Sequence, residues 1–197
     1  MIKLLDLLKE SQSILIPRRS SEDRQKNYII ASQKKIQQYI KNGSKGDLNL
    51  YDTPIISLPD NLSVGGDLKL GSTKITSLPN NLNVEGNLIL YDTPITSLPN
   101  NLNVGGNLEL SFSKITSLPD NLNVKKNLIL SFTPIISLPD NLSVGGNLEL
   151  TGTEITSLPN NLSVGGNLKL GETPISKEYT KKQIRQMVNI KGGSIFF

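Results

Sequence analysis

The chain has 197 residues with no cysteine and no histidine, which excludes thiolate and imidazole nucleophiles, disulfides, and zinc sites built on either residue. Its net charge of +4 is unevenly spread: residues 1–45 carry ten Lys/Arg against four Asp/Glu, residues 46–176 six against twelve, and residues 177–197 five against one. An acidic body between basic ends is not how a uniform nucleic-acid binder is built, since such a protein lays positive charge along its working face.

The opening MIKLLDLLKESQSILIPRR is apolar only in short runs, broken by Asp6, Lys9 and Glu10. It lacks the continuous apolar core and cleavage site of a secretory signal, and no later run is long enough to span a bilayer, so a soluble cytoplasmic protein is expected. Ile2, Leu4, Leu5, Leu7 and Leu8 suit a short amphipathic helix. Ser20 or Ser21, followed by acidic residues, reads as the N-cap of a second helix running to about Lys41 and stopping at Asn42-Gly43. Ile29, Ile36 and Ile40 form its apolar stripe, flanked by Tyr28 and Tyr39. Residues 1–45 are therefore expected to be a helical N-terminal cap, because a stack of coils would otherwise expose an apolar cross-section and open sheet edges.

Residues 46–176 repeat the pattern G-[ND]-L-x-L-x-x-[TS]-x-I-x-S-L-P-x-N-L-x-V every twenty residues, without insertion or deletion. The first leucine falls at Leu48, Leu68, Leu88, Leu108, Leu128, Leu148 and Leu168. A fixed short period of this kind specifies a solenoid in which each coil touches only its neighbours. Within a coil, Leu68-Lys69-Leu70 alternates as a short strand with one buried face. Ile75, Leu78, Leu82 and Val84 return to the interior, while Asp67, Lys69 and Gly71 point outward. Pro79 donates no backbone hydrogen bond and marks a turn between sides. Gly65-Gly66 and Gly105-Gly106 suit a turn with positive φ.

One coil cannot fold alone. Six buried aliphatic side chains contribute about 1.5–3 kcal/mol each, whereas ordering twenty residues costs about 1–2 kcal/mol each. Stacking must supply the rest, through strand pairing and through like residues aligned between coils. A hydroxyl ladder is expected along Thr53, Thr73, Thr93, Ser113, Thr133, Thr153 and Thr173, and an amide ladder along Asn61, Asn81, Asn101, Asn121, Asn141 and Asn161. A longer rhythm places Pro54, Pro94, Pro134 and Pro174 in every other coil, consistent with duplication of a forty-residue module.

Residues 177–197 are expected to form the C-terminal cap. Thr180 can cap a helix carrying Ile184, Met187 and Val188. Gly192-Gly193-Ser194-Ile195-Phe196-Phe197 then copies G-G-N-L-x-L, with Ile195 and Phe197 replacing the two strand leucines as a last rung. About eight rungs are expected in all, spanning roughly 35 Å at about 4.8 Å each.

These units resemble leucine-rich repeats, particularly the short bacterial type that carries a Leu-Pro pair and lacks a convex helix. The resemblance covers residues 46–176 and implies a leucine-rich-repeat-like parallel β-solenoid. Two departures stand out: the family's Asn after L-x-L is here Thr or Ser, and V-G-G-N is inserted before the strand. The insertion keeps a flatter, three-sided β-solenoid as the near alternative. The units are also similar to repeat proteins of bacteria and their viruses, which implies the cytoplasm of a bacterial or phage-infected cell but no activity.

Buried columns are set by folding, so information resides in the outward columns that vary. The column from Asp47 to Asn167 is nearly all Asn and reads as structural. The next two columns and the rim beyond them bring Ile89, Tyr91, Phe112, Ile129 and Phe132 to the middle three coils of one face, among Asp92, Glu109, Glu149 and Lys69. Exposed apolar surface rimmed by charge is how protein-binding sites are composed. The expected function is a non-catalytic scaffold that binds another protein across the strand face, a bacterial or phage modulator of a host factor, with no cofactor, metal or membrane partner.

Competing readings are that Phe112 and Phe132 fold over the bend as core, or that the apolar residues are drift within a repeat. Nucleic-acid or ribonucleoprotein association through Arg18, Arg19, Arg24, Lys26, Lys181, Lys182 and Arg185 is the runner-up, with solvated helix faces as the simpler account of those cations. Self-association is a third. Asp92 with Glu109 could form a glycosidase-like carboxylate pair, but coils this short carry no loops to build a sugar groove. Ice binding through Thr76, Thr96 and Thr116 is spoiled by the neighbouring column of Pro, Lys and Glu.

Overall fold

A computed structural model describes residues 20–197. The short helix expected around Ile2 to Leu8, with Arg18 and Arg19, lies outside the described residues. The first described element is helix α1, Ser21–Lys41. Ser20 is its N-cap: the Asp23 N–H donates to Ser20 Oγ at 3.0 Å, and the Ser20 N–H donates to Asp23 Oδ2 at 3.2 Å. The helix ends at Asn42, and Gly43 follows at φ +81°.

The buried stripe of α1 differs from the expected one. Ser32 and Ile36 are buried and Tyr39 packs on the core, whereas Ile40 is 44% exposed. Two polar anchors set this rotation. The Ser32 hydroxyl donates to the Tyr28 carbonyl at 2.8 Å, which lets it be buried. The Tyr39 hydroxyl sits 2.7 Å from the Ser44 carbonyl oxygen and accepts from the Gly65 N–H at 3.2 Å, tying the helix to the first coil.

The repeats then wind into a leucine-rich-repeat-like parallel β-solenoid. Each coil contributes two-residue strands to two sheets. One sheet has eight strands, from Leu48–Asn49 to Ile195–Phe196; the other has seven, from Ser63–Val64 to Asn189–Ile190. Neighbouring strands in each sheet are parallel and one repeat apart in sequence, with Leu48 against Leu68, Leu68 against Leu88 and Val64 against Val84, except at the enlarged last coil, which sets Ser163 against Asn189 and Leu168 against Ile195. The inserted V-G-G-N thus does make a second side strand-like. The third side, through the Leu-Pro pair, is extended without ladder pairing.

Leu68, Leu70, Ile75, Leu82 and Val84 are 0% exposed and Leu78 is 8% exposed, and their equivalents join one continuous core. Gly71, expected to face outward, is buried because the Tyr51 ring lies over it.

The ladders correct the sequence reading. The buried Thr hydroxyls do not bond along the stack; each donates to the carbonyl three residues earlier in its own coil, as Thr73 to Leu70 at 2.7 Å and Thr133 to Leu130 at 2.7 Å. A short β-branched side chain beside a turn finds its own backbone first. Ser113 is the exception: it is 2% exposed and its hydroxyl has no partner. Threonine, held by its extra methyl in the rotamer of its neighbours, supplies the missing bond to the Leu110 carbonyl. Ser113→Thr should stabilise the protein by about 0.5–1.5 kcal/mol in urea denaturation.

The Asn61 column bonds only in part, between Asn81 and Asn61 and between Asn161 and Asn141, each at 3.1 Å. The uninterrupted ladder is the Asp47 column. There each side-chain oxygen accepts the backbone N–H of the residue one coil on, from Asp67 on Asp47 at 2.9 Å to Ser194 on Asn167 at 2.9 Å. At its start the Asp47 carboxyl is held below the ordinary aspartate range, chiefly by the Asp67 N–H; desolvation opposes this and Lys69 reinforces it.

Glycine at the second turn serves close approach, not positive φ as expected. Neither Gly65-Gly66 nor Gly105-Gly106 has positive φ. A Cβ on Gly106 would sit 2.8 Å from the Gly86 carbonyl carbon and oxygen, so glycine is what lets these turns nest closely. Glu85 replaces the first glycine in one turn, and in another both are replaced, by Lys125-Lys126. Across that junction the strands keep a single register pair, Val104 with Val124, where the other junctions keep two. The bonds that Gly105 makes to Val84 and Gly106 makes to Gly86 have no counterparts at Lys125 and Lys126. Native-state hydrogen exchange should therefore run about tenfold faster at the amides of Lys125 and Lys126 than at Gly105, Gly106, Gly145 and Gly146. Equal protection would mean the seam is closed.

After the last full coil, Thr173 caps a short helix not foreseen from sequence, α2, Pro174–Glu178. Thr180 caps α3, Lys181–Met187, in a capping box with Gln183. Ile184 is fully buried and Val188 nearly so, but Met187 is 46% exposed. The strands Asn189–Ile190 and Ile195–Phe196 complete the two sheets. Ile195 is inside as expected, whereas Phe197 is 44% exposed, because Ile195–Phe196 is an edge strand and no rung covers it.

Candidate functional site

Each of the first seven strands of the eight-stranded sheet ends in a tight turn whose form follows from its hydrogen bonds. The N–H at position 53 and its equivalents returns to the carbonyl three residues back, as Thr53 to Leu50 at 3.2 Å and Ser113 to Leu110 at 3.0 Å. The residue before it takes positive φ in all seven coils: Asp52, Ser72, Asp92, Phe112, Phe132, Gly152 and Glu172. That site favours Gly, Asn or Asp, and a bulky side chain there is an outlier costing about 1–2 kcal/mol.

Phe112 stands there at φ +60° and Phe132 at φ +57°. Neither is folded into the core; they are 50% and 45% exposed. The reading of this pair as core over the bend does not hold. Their rings stack at 5.0 Å between centroids, and Tyr91 meets Phe112 edge-on at 5.4 Å. The Phe132 ring lies over Gly152, where any larger residue would collide with it. Ser111, beneath the cluster, is 6% exposed.

The structure brings Tyr91, Phe112 and Phe132 together as one aromatic line along the rim of the sheet. Ile89 and Ile129 are placed differently. They lie on the strand face, half-buried, on either side of Glu109 in register. The Glu109 carboxylate accepts the Ser111 N–H at 2.9 Å, which draws it toward the backbone that carries Phe112. Asp92 accepts from the Ser72 hydroxyl at 3.4 Å, and that hydroxyl also lies 3.4 Å from the Tyr51 hydroxyl. Tyr51, 52% exposed, therefore extends the rim two coils toward α1. Sequence columns held Tyr51 but gave no reason to join it to the cluster, since Gly71 and Ser72 intervene.

Charges on the strand face are paired at its two ends. Lys69 lies 3.4 Å from Asp47 and 3.7 Å from Asp67, and Lys169 lies 2.7 Å from Glu149. Among the described residues no ion pair involves Glu109 or Asp92. The exposed Lys114 follows two residues after Phe112, past the turn. Asp92 and Glu109 are held by different partners, and no described cluster of acidic residues is arranged to hold a metal ion. No described helix is long and apolar enough to cross a membrane.

The basic residues of the two ends sit apart from the Tyr91–Phe112–Phe132 line, although Arg24 reaches the first rim turns at Asp52 and Ser72. Arg24 lines a cleft of about 470 Å³ between α1 and the first coils, with Tyr28, Asp52 and Lys74. At the other end the Arg185 guanidinium donates to the Gly193 carbonyl at 3.0 Å, and the Lys181 ammonium lies 5.3 Å from the Phe197 ring centroid.

No family model matches the chain, and no curated protein matches it. Among solved structures the chain is similar to one described as a Shigella effector LRR domain, with 16% identity and a TM-score of 0.48, over 99% of this chain and 98% of that one.

Proposed function

We propose that the protein is a non-catalytic recognition scaffold that binds a partner protein along the Tyr91–Phe112–Phe132 rim, with Ile89, Ile129, Asp92 and Glu109 bordering the contact. One observation carries the reading: two phenylalanines occupy a backbone conformation hostile to them and remain half in water. The turn does not need them, because Asp52, Ser72 and Gly152 make the same turn. Folding does not reward them fully either, since exposed rings return only part of the transfer free energy of a buried phenylalanine. Strain kept at an exposed aromatic points to use of that side chain by something outside the chain.

The test is a paired substitution, Phe112→Ser with Phe132→Ser, read by pull-down with mass spectrometry and by circular dichroism. The expected outcome is a folded protein that no longer retains a partner captured by the parent chain. A partner retained equally by both proteins would place the contact elsewhere.

A further inference from the structure

We infer that the rim is shaped for an extended, apolar peptide segment that carries an arginine or lysine, the cation seating against Glu109 beside the Phe112 ring. The inference rests on the recognition reading above and adds the chemistry of the partner.

Size is the first argument. The aromatic stretch of the rim, from Tyr91 to the Gly152 that lies under the Phe132 ring, crosses three inter-coil steps, about 14 Å at about 4.8 Å each. It is two columns wide at most, the rim residues and the half-buried strand-face residues Ile89, Glu109 and Ile129 beside them. A line of that length matches four or five extended residues at about 3.3 Å each. So narrow a strip offers far less area than the roughly 800 Å² per partner that a stable globular interface buries. The strand backbones along the face are already paired to the coils on both sides, so recognition must come from side chains.

Charge is the second argument. The solenoid body carries twelve acidic residues against six basic ones. On its strand face the cations Lys69 and Lys169 are engaged at the two ends, by Asp47 and Glu149. Glu109 lies between them, flanked by two isoleucines, with one oxygen bound by the Ser111 N–H and no described cation on the other. A carboxylate held on the backbone N–H of Ser111, the residue before Phe112, would offer a guanidinium or ammonium a charge-assisted hydrogen bond, and the stacked rings of the rim would offer it an aromatic face. Asp92 adds a second negative charge on the Tyr91 side. An acidic segment would meet repulsion here, and a purely apolar one would take water from the second Glu109 oxygen without replacing it.

The experiment is selection of a phage-displayed library of random dodecapeptides on the full chain, with Phe112→Ser/Phe132→Ser protein as the counter-target. The expected result is enrichment of peptides with Arg or Lys within two residues of Leu, Ile or Phe. Binding of the selected peptides should weaken about tenfold in Glu109→Gln and lose most of its salt dependence there. Enriched peptides that are acidic or uncharged, or that bind Glu109→Gln unchanged, would overturn the cation seat while leaving rim recognition standing. No enrichment over the counter-target would overturn rim recognition itself.

Discussion

Truncating Leu128 to alanine should cost about 2–5 kcal/mol of stability. Leu128 is 0% exposed and lies in register between Leu108 and Leu148, so the cavity it leaves opens against the coils on both sides. The stack has no other layer to collapse into that space, because each coil touches only its neighbours. Urea denaturation followed by circular dichroism reads the loss as a lower midpoint. The transition should also broaden, since weakening a central rung lets the two halves melt separately. Ile56→Ala is the control: Ile56 is 67% exposed, and removing a similar side chain there should change stability by less than about 0.5 kcal/mol. Comparable losses at both positions would mean that column packing is not what holds the coils.

The paired change Phe112→Ser and Phe132→Ser should have the opposite signature, with little effect on folding and loss of partner capture. Two contributions offset in the free protein. The stacked rings and the Tyr91 edge contact are worth about 0.5–1.5 kcal/mol each beyond area. Against this, serine takes positive φ with less strain, as Ser72 does at φ +55° in the same turn. The net change should stay within about 1 kcal/mol. In a complex the balance shifts, because aromatic anchors carry a disproportionate share of binding energy, about 2 kcal/mol or more each when truncated. A loss of about a hundredfold or more in affinity, with the melting midpoint held, would follow from two such anchors. A large drop in melting midpoint would make the rings structural instead and remove the reason to assign them a partner.

The sequence made the columns legible because translation by one coil preserves side-chain direction. Leu68 and Leu88 pair, and Leu78, Leu82 and Val84 are buried, because a twenty-residue period without insertions leaves no other register. Hydrogen-bond destinations were less legible. A column of Thr invites a ladder, yet the nearest acceptor for each hydroxyl is the Leu carbonyl in its own turn. A column of Asn is equally ambiguous: the Asp47 column bonds throughout, while the Asn61 column, whose Asn61, Asn81, Asn141 and Asn161 take positive φ, bonds only twice. The glycine pair misled for a related reason, since a composition that permits positive φ also permits close backbone approach.

A parallel solenoid, the residues that face its interior and the gathering of aromatic side chains on its middle coils all follow from the amino-acid pattern alone, because period and alternation fix those outcomes locally. Three features come from the packing of coil on coil: Phe112 and Phe132 stand stacked and strained on the rim, Glu109 is bound to the Ser111 N–H between two isoleucines, and the Lys125-Lys126 turn loosens one seam. Backbone dihedrals and side-chain partners arise from the contact between coils. No single repeat contains that contact.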